Sequence, residues 1–242
     1  MTTSKARSPE PHPPAGGFHG RRQGRPLRAG RLRRLESRLP ELRVPVPLGG
    51  HLDLGDHIPP GLAAVWLEIG FGGGEHLAWQ AESRPDVGFL GCELYVNGIA
   101  SLIRHIDERG LANVRICDTE AMALLCALPD ASIGRTFLLF PDPWPKKRHH
   151  KRRFVRAASL TELARVMADS AELRFATDDG PYARWTLAAA LAHPAFDWPA
   201  EAPDDWRRRP ADWPETRYEA AARTEGAHPV YFTFRRRPRA AE

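Results

Sequence analysis

Two kinds of apolar run alternate along the chain. Residues 65–69, 87–93, 114–117, 135–140 and 172–176 are short and densely apolar, as strands buried on both faces are. Between them apolar positions recur every three to four residues. Residues 75–83, 96–108, 122–128 and 154–167 therefore read as helices, the second with Ile99, Leu102, Ile103 and Ile106 on one face. Pro181 is expected to open a further helix as its first residue, where its missing N–H would be unpaired anyway. This alternation predicts an α/β fold: a mostly parallel twisted sheet with helices on both faces. Residues 194–214, rich in Pro, Trp and Asp, read as a loop. The β-prone segments 216–221 and 229–235 are expected to close the sheet as an antiparallel last strand pair. No internal repeat is visible.

A length of 242 residues suits one such domain with a tail. Residues 1–20, rich in Pro, Gly, Ser and His, read as disordered. Leu32, Leu35 and Leu39 then fall at helical spacing in a short basic helix. The division expected is a basic arm, 1–40, and a folded domain, 41–242. Net charge is +5, but the first 40 residues hold ten Lys/Arg against Glu10 and Glu36, and the rest sums to −3. A concentrated basic arm is the footprint of a polyanion partner or a solubilising tail. The longest apolar stretch, 62–69, is too short to span a bilayer, and no apolar run follows the N-terminal arginines as in a signal peptide. Cys92, Cys117 and Cys126 form no metal-ligand spacing and sit among apolar neighbours. A cytoplasmic protein without a metal is expected.

The first chemical motif is Glu68-Ile69-Gly70-Phe71-Gly72-Gly73-Gly74-Glu75, between a strand and a helix. Four glycines in five positions let a ligand approach the backbone. A dinucleotide fingerprint, GxGxxG, would need glycine where Glu75 stands, so an NAD-dependent oxidoreductase is disfavoured. Carboxylates at both ends of the loop suit the cationic S-adenosylmethionine better than an anionic pyrophosphate. Glu93 ends the second strand 19 residues after Gly74, where an acid accepts hydrogen bonds from ribose hydroxyls in nucleotide-binding folds. A third acid is expected after strand three, beside the adenine; Asp118 and Glu120 both qualify.

The fourth strand runs into Pro141-Asp142-Pro143-Trp144-Pro145, then seven Lys/Arg between 146 and 156 with no acid among them. Alternating prolines stiffen the backbone around Asp142 and Trp144. A cationic run directly after such an edge reads as a phosphate contact beside a reaction centre, against the plainer reading of a solvated charge run. Asp142-Pro143-Trp144 also partly matches the acid/Asn-Pro-Pro-aromatic motif of enzymes that methylate exocyclic base amines.

These motifs together resemble the bacterial tRNA (guanine-N7)-methyltransferases, over about residues 20–236. GRRQGRPL is similar to that family's basic entry motif, Glu68 with GFGGG to its cofactor loop, and FPDPWPKKRHHKRR to its signature. Ala176-Thr177-Asp178 and Thr216-Arg217-Tyr218-Glu219 match two further blocks, with Tyr218 where Phe is commoner. The resemblance implies a Rossmann-like class I methyltransferase fold and S-adenosylmethionine as cofactor, held by Glu68, Gly70, Gly72, Gly74, Glu93, Glu120 and Asp142. Glu120 takes the place where the family usually has Asp. The resemblance further implies Asp142 as the active-site acid, tRNA as the partner, and RNA contacts from Lys146, Asp178, Thr216, Arg217, Tyr218 and Glu219; a monomer is expected. A relative that kept the fold and lost activity stands as the non-enzyme alternative.

Overall fold

A computed structural model describes residues 22–47, 49–215, 219, 220, 224, 226 and 228–240. Its sheet has seven strands: β1 (Ala64–Ile69), β2 (Val87–Cys92), β3 (Val114–Cys117), β4 (Ile133–Leu139), β5 (Met167–Thr177), β6 (Phe196–Asp197) and β7 (Val230–Arg236). They lie in the order β3-β2-β1-β4-β5-β7-β6. The first five are mutually parallel, and β7 runs antiparallel between β5 and β6. The helices are α1 (Ala29–Leu42), α2 (Glu75–Ser83), α3 (Val96–Arg109), α4 (Ala121–Ala127), α5 (Ala157–Val166), α6 (Gly180–Ala192) and the short α7 (Asp204–Arg207). This is the expected Rossmann-like class I methyltransferase fold.

Successive strand residues point to opposite faces, and both faces are covered. Phe89 packs with Leu77, Ile99 and Leu102 from α2 and α3. Its neighbour Leu90 belongs to the opposite core, with Leu124, Leu160 and Tyr182 from α4, α5 and α6. That two-sided burial is why β2 carries an unbroken apolar run. On the half of the sheet formed by β4, β5 and β7, Phe137, Ala176 and Tyr231 are covered by Trp213 from the segment ahead of β7. α1 crosses the expected boundary at residue 40 and ends at Leu42, with Leu35, Leu39 and Leu42 against the α2–α3 core. Arg34 and Arg38 of α1 reach Asp107 of α3 at 3.5 and 3.0 Å.

Three local expectations change. The closing antiparallel partner of β7 is β6, inside the stretch read as loop, and the described residues of 216–221, Glu219 and Ala220, are helical. A two-residue strand has no period to detect, whereas Phe196 is fully buried and so fixes the pairing. The Glu219 carboxylate accepts from Tyr231 Oη at 2.6 Å, and such a tertiary contact overrides strand propensity. Pro181 is the second residue of α6, because the Asp179 side chain caps the helix by accepting from Tyr182 N at 2.6 Å. α5 begins at Ala157, since Arg156 is extended and its N–H donates to Ser159 Oγ at 3.1 Å.

Candidate functional site

Parallel strands bring their carboxyl ends to one edge, and the strand order reverses between β1 and β4. Ligands bind at such a switch point. A cavity of about 600 Å³ opens there, within the usual range for small-molecule sites. Gly70, Gly72, Glu93 and Glu120 lie on one wall. Asp142, Trp144, Lys151, Arg152, Arg153 and Arg156 lie on the other. Carboxylates and cations therefore line one opening.

The glycine loop is shaped by close approach. Gly74 caps α2 with φ 77°, and a Cβ there would stand 2.7 Å from Leu102 Cβ. It thus serves the packing of α2 on α3 and does not line the cavity. A Cβ on Gly98 in α3 would stand 2.1 Å from the Gly72 carbonyl oxygen, so α3 presses directly on the loop. Glu93 organises the same place: one carboxylate oxygen accepts from Gly72 N at 2.9 Å, the other from Leu94 N at 2.8 Å and Tyr95 N at 3.0 Å.

Glu68 lies behind this loop, 4% exposed, with its carboxylate 2.7 Å from His76 Nδ1. Gln80 continues the chain, 3.2 Å from His76 Nε2, and donates to the Asp212 carbonyl at 2.7 Å. Glu68 borders a small adjoining cavity of about 20 Å³ with Phe71 and His76, which shares Gly70, Leu139 and Phe140 with the large one. Its place is beneath the loop rather than on the wall of the large cavity. The Asp212 carboxylate itself is gripped by Arg174 at 2.7 and 2.8 Å. Burial alone would raise the Asp212 pKa, but the Arg174 hydrogen bond and the charges of Arg174 and Arg135 bring it below the ordinary carboxylate range.

Asp142 sits on an exposed loop between two residues in the left-handed region, Phe140 at φ 49° and Trp144 at φ 46°. Non-glycine residues there are strained, and such strain gathers at functional sites. Arg152 lies 4.9 Å over the Trp144 ring. Burial pushes Cys92, which lines the cavity, well above its ordinary range, and pushes Cys117 up to about 12. Among the described residues no group of three His, Cys, Asp or Glu could hold a metal, and no helix is long and apolar enough to cross a membrane.

A methyltransferase family model, described as "Putative methyltransferase", matches residues 63–232. A tRNA (guanine-N(7)-)-methyltransferase of Rhodospirillum rubrum is 51% identical over 93% of this chain and 89% of its own length. The protein of that name from Paramagnetospirillum magneticum is 50% identical over 92% of this chain and 93% of its own. That of a Chelativorans species is 46% identical over 90% and 94%. The chain belongs to the tRNA (guanine-N(7)-)-methyltransferase family.

The remaining candidate residues scatter around the cavity. Glu120 lines it and lies 4.0 Å from Arg22 of the N-terminal segment. Asp118 is instead engaged by Arg43 at 2.6 Å. Lys146 is exposed just ahead of a 3-10 turn, Lys147–Arg152, and Asp178 is exposed just ahead of the α6 cap. Thr216, Arg217 and Tyr218 lie outside the described residues. Glu219 is 1% exposed, held by Tyr231 and, at 3.1 Å, by Arg209. Sequence reasoning missed His76, Gln80, Gly98 and Arg153. Only Gly98 carried a local signal, a glycine inside a helical pattern, which marks close approach.

Proposed function

We propose that this chain transfers a methyl group from S-adenosylmethionine to N7 of a guanine in tRNA, forming 7-methylguanosine. The observation that carries this reading is that Glu93, Glu120 and Asp142 line one cavity with Lys151, Arg152 and Arg156 at the switch point of the sheet. The relatives from Rhodospirillum rubrum and Paramagnetospirillum magneticum are named for the same reaction.

The residues fit the cofactor. The Gly70–Gly72 backbone leaves room for close approach, and acids rather than bases stand beside it. Glu93 would receive the ribose hydroxyls and Glu120 the adenine, with Glu68 supporting the loop from beneath through His76. When bound, S-adenosylmethionine supplies an electrophilic methyl group. Guanine N7 already carries a lone pair and no proton, so no general base is required, and the protein's task is alignment at near-attack distance. Asp142 meets the positive charge that grows on the purine, or accepts from its N–H edge to orient it. Trp144 offers a face on which an unstacked base can rest. Lys146 and the cations of 147–152 meet the phosphates, and Asp178, Thr216, Arg217 and Tyr218 are assigned further RNA contacts. We assign the basic arm within residues 1–40 to RNA capture and 41–242, on which α1 packs, to the catalytic domain.

The deciding experiment is incubation with S-adenosylmethionine and unmodified tRNA transcripts, digestion to nucleosides and mass spectrometry. 7-Methylguanosine is expected. A methylated exocyclic amine, or no product with cofactor binding absent, would overturn the reading.

A further inference from the structure

The segment carrying Asp142 is held in a conformation its own residues disfavour. Phe140 and Trp144 both have positive φ, and Pro141 and Pro143 between them have no N–H with which to tie the backbone down. Two clamps hold it. Phe140 N donates to the Ala176 carbonyl of β5 at 2.8 Å. At the other side of Asp142, the Pro143 carbonyl accepts from Arg153 Nε at 2.8 Å.

Arg153 is built in rather than draped on the surface. It is 2% exposed, unlike most of the basic run that precedes it. Its guanidinium lies 5.0 Å from the Tyr182 ring and 5.2 Å from the Trp185 ring, both on α6. The neighbouring Val155 is fastened to the same helix: its N–H donates to Tyr182 Oη at 3.3 Å, and its carbonyl accepts from Trp185 Nε1 at 2.7 Å. Among the described residues, Arg153 Nη2 meets no acceptor. A buried cation with no carboxylate partner among the described residues stabilises a fold poorly compared with an apolar residue of similar volume. What an apolar residue could not do is donate to Pro143. A lysine could not reproduce the planar stack that aims Nε.

We propose that Arg153 is a positioning residue for methyl transfer: it fixes Asp142 on the cavity wall through the Pro143 carbonyl, and touches neither cofactor nor RNA phosphate itself. The proposal rests on the function given above. It is tested with Arg153→Lys, which keeps the charge and loses the aimed donor. The expected result is a fall in kcat on the order of 100-fold. The Kd for S-adenosylhomocysteine, the Kd for tRNA and the salt slope of tRNA binding stay at wild-type values. Amide exchange across residues 142–151 accelerates while β1 and β2 are unaffected. Lost tRNA affinity with a flattened salt slope would overturn the proposal in favour of a phosphate contact. Unchanged kcat with a lowered Tm would overturn it in favour of packing. Should Arg153→Lys not fold, Trp185→Leu at a 38%-exposed position removes one face of the stack; about a tenfold fall in kcat with the same exchange pattern is expected, and unchanged exchange overturns the clamp. A wild-type protein that makes no 7-methylguanosine would remove the functional reading alone, since the exchange measurement still decides whether Arg153 holds the loop.

Discussion

Gly98→Ala separates helix propensity from tertiary contact, because the two predict opposite signs. Inside a helix, alanine is favoured over glycine by about 1 kcal/mol, so α3 taken alone would gain. In the folded protein the new Cβ would stand 2.1 Å from the Gly72 carbonyl oxygen and 3.0 Å from its carbon, where ordinary contact begins at 3.4 Å. Both are backbone atoms with no rotamer to turn aside, so the loop or α3 retreats by roughly an ångström. Such overpacking costs about 1–3 kcal/mol, leaving the variant between neutral and about 2 kcal/mol less stable once propensity is counted. The second effect is local. Retreat of Gly72 carries its N–H away from Glu93, now 2.9 Å distant, beyond hydrogen-bond range. Losing a hydrogen bond to a charged group costs about 1.5–3 kcal/mol of loop order, and a ligand that must restore the loop binds more weakly by up to that amount, at most roughly a hundredfold in Kd. Calorimetric titration with S-adenosylhomocysteine and a thermal melt without ligand measure the two effects. Gly30→Ala in α1 is the control, because nothing lies within 4 Å of its Cβ and stability should rise or hold. A Gly98→Ala protein that melts higher and binds the ligand as the wild type does would refute the argument.

Other consequences are as open to measurement. Asp142→Asn should leave the Kd for S-adenosylhomocysteine unchanged and lower turnover about a hundredfold or more, the scale for removing a charge aimed at a transition state; single-turnover methylation checks it, and an equal loss of cofactor binding would make Asp142 a cofactor ligand instead. Lys146→Ala should lower the slope of log Kd against log salt for tRNA by about one, measured by filter binding across a salt series. Asp212 is held below its unfolded pKa of about 3.9, so the unfolded chain takes up the proton first. Its contribution is present above that value and lost as pH falls through the folded one. The urea midpoint should therefore drop below about pH 4, and Asp212→Asn should shrink that drop.

The chain itself determined whatever depends on neighbours in sequence. A buried parallel strand must be apolar throughout, so β1 to β4 announced themselves, and the parallel order sent each following loop to one edge. That alone placed the glycine loop, Glu93, Glu120 and Asp142 together. Which of the chemically alike Asp178 and Asp179 caps α6 was decided by the fold, where the Tyr182 amide meets the second. What tertiary structure decided are contacts whose partners lie far apart along the chain. β6 is two residues long and exists because Phe196 is buried beside β7. Glu68 sits under the loop rather than on the cavity wall because His76 and Gln80 link it to Asp212, 144 residues away in sequence and adjacent only once the sheet has formed. Arg153 looked like one more member of a cationic run. Its burial between Tyr182 and Trp185 distinguishes it, and burial is a property of the packed fold, which no local pattern of charge encodes.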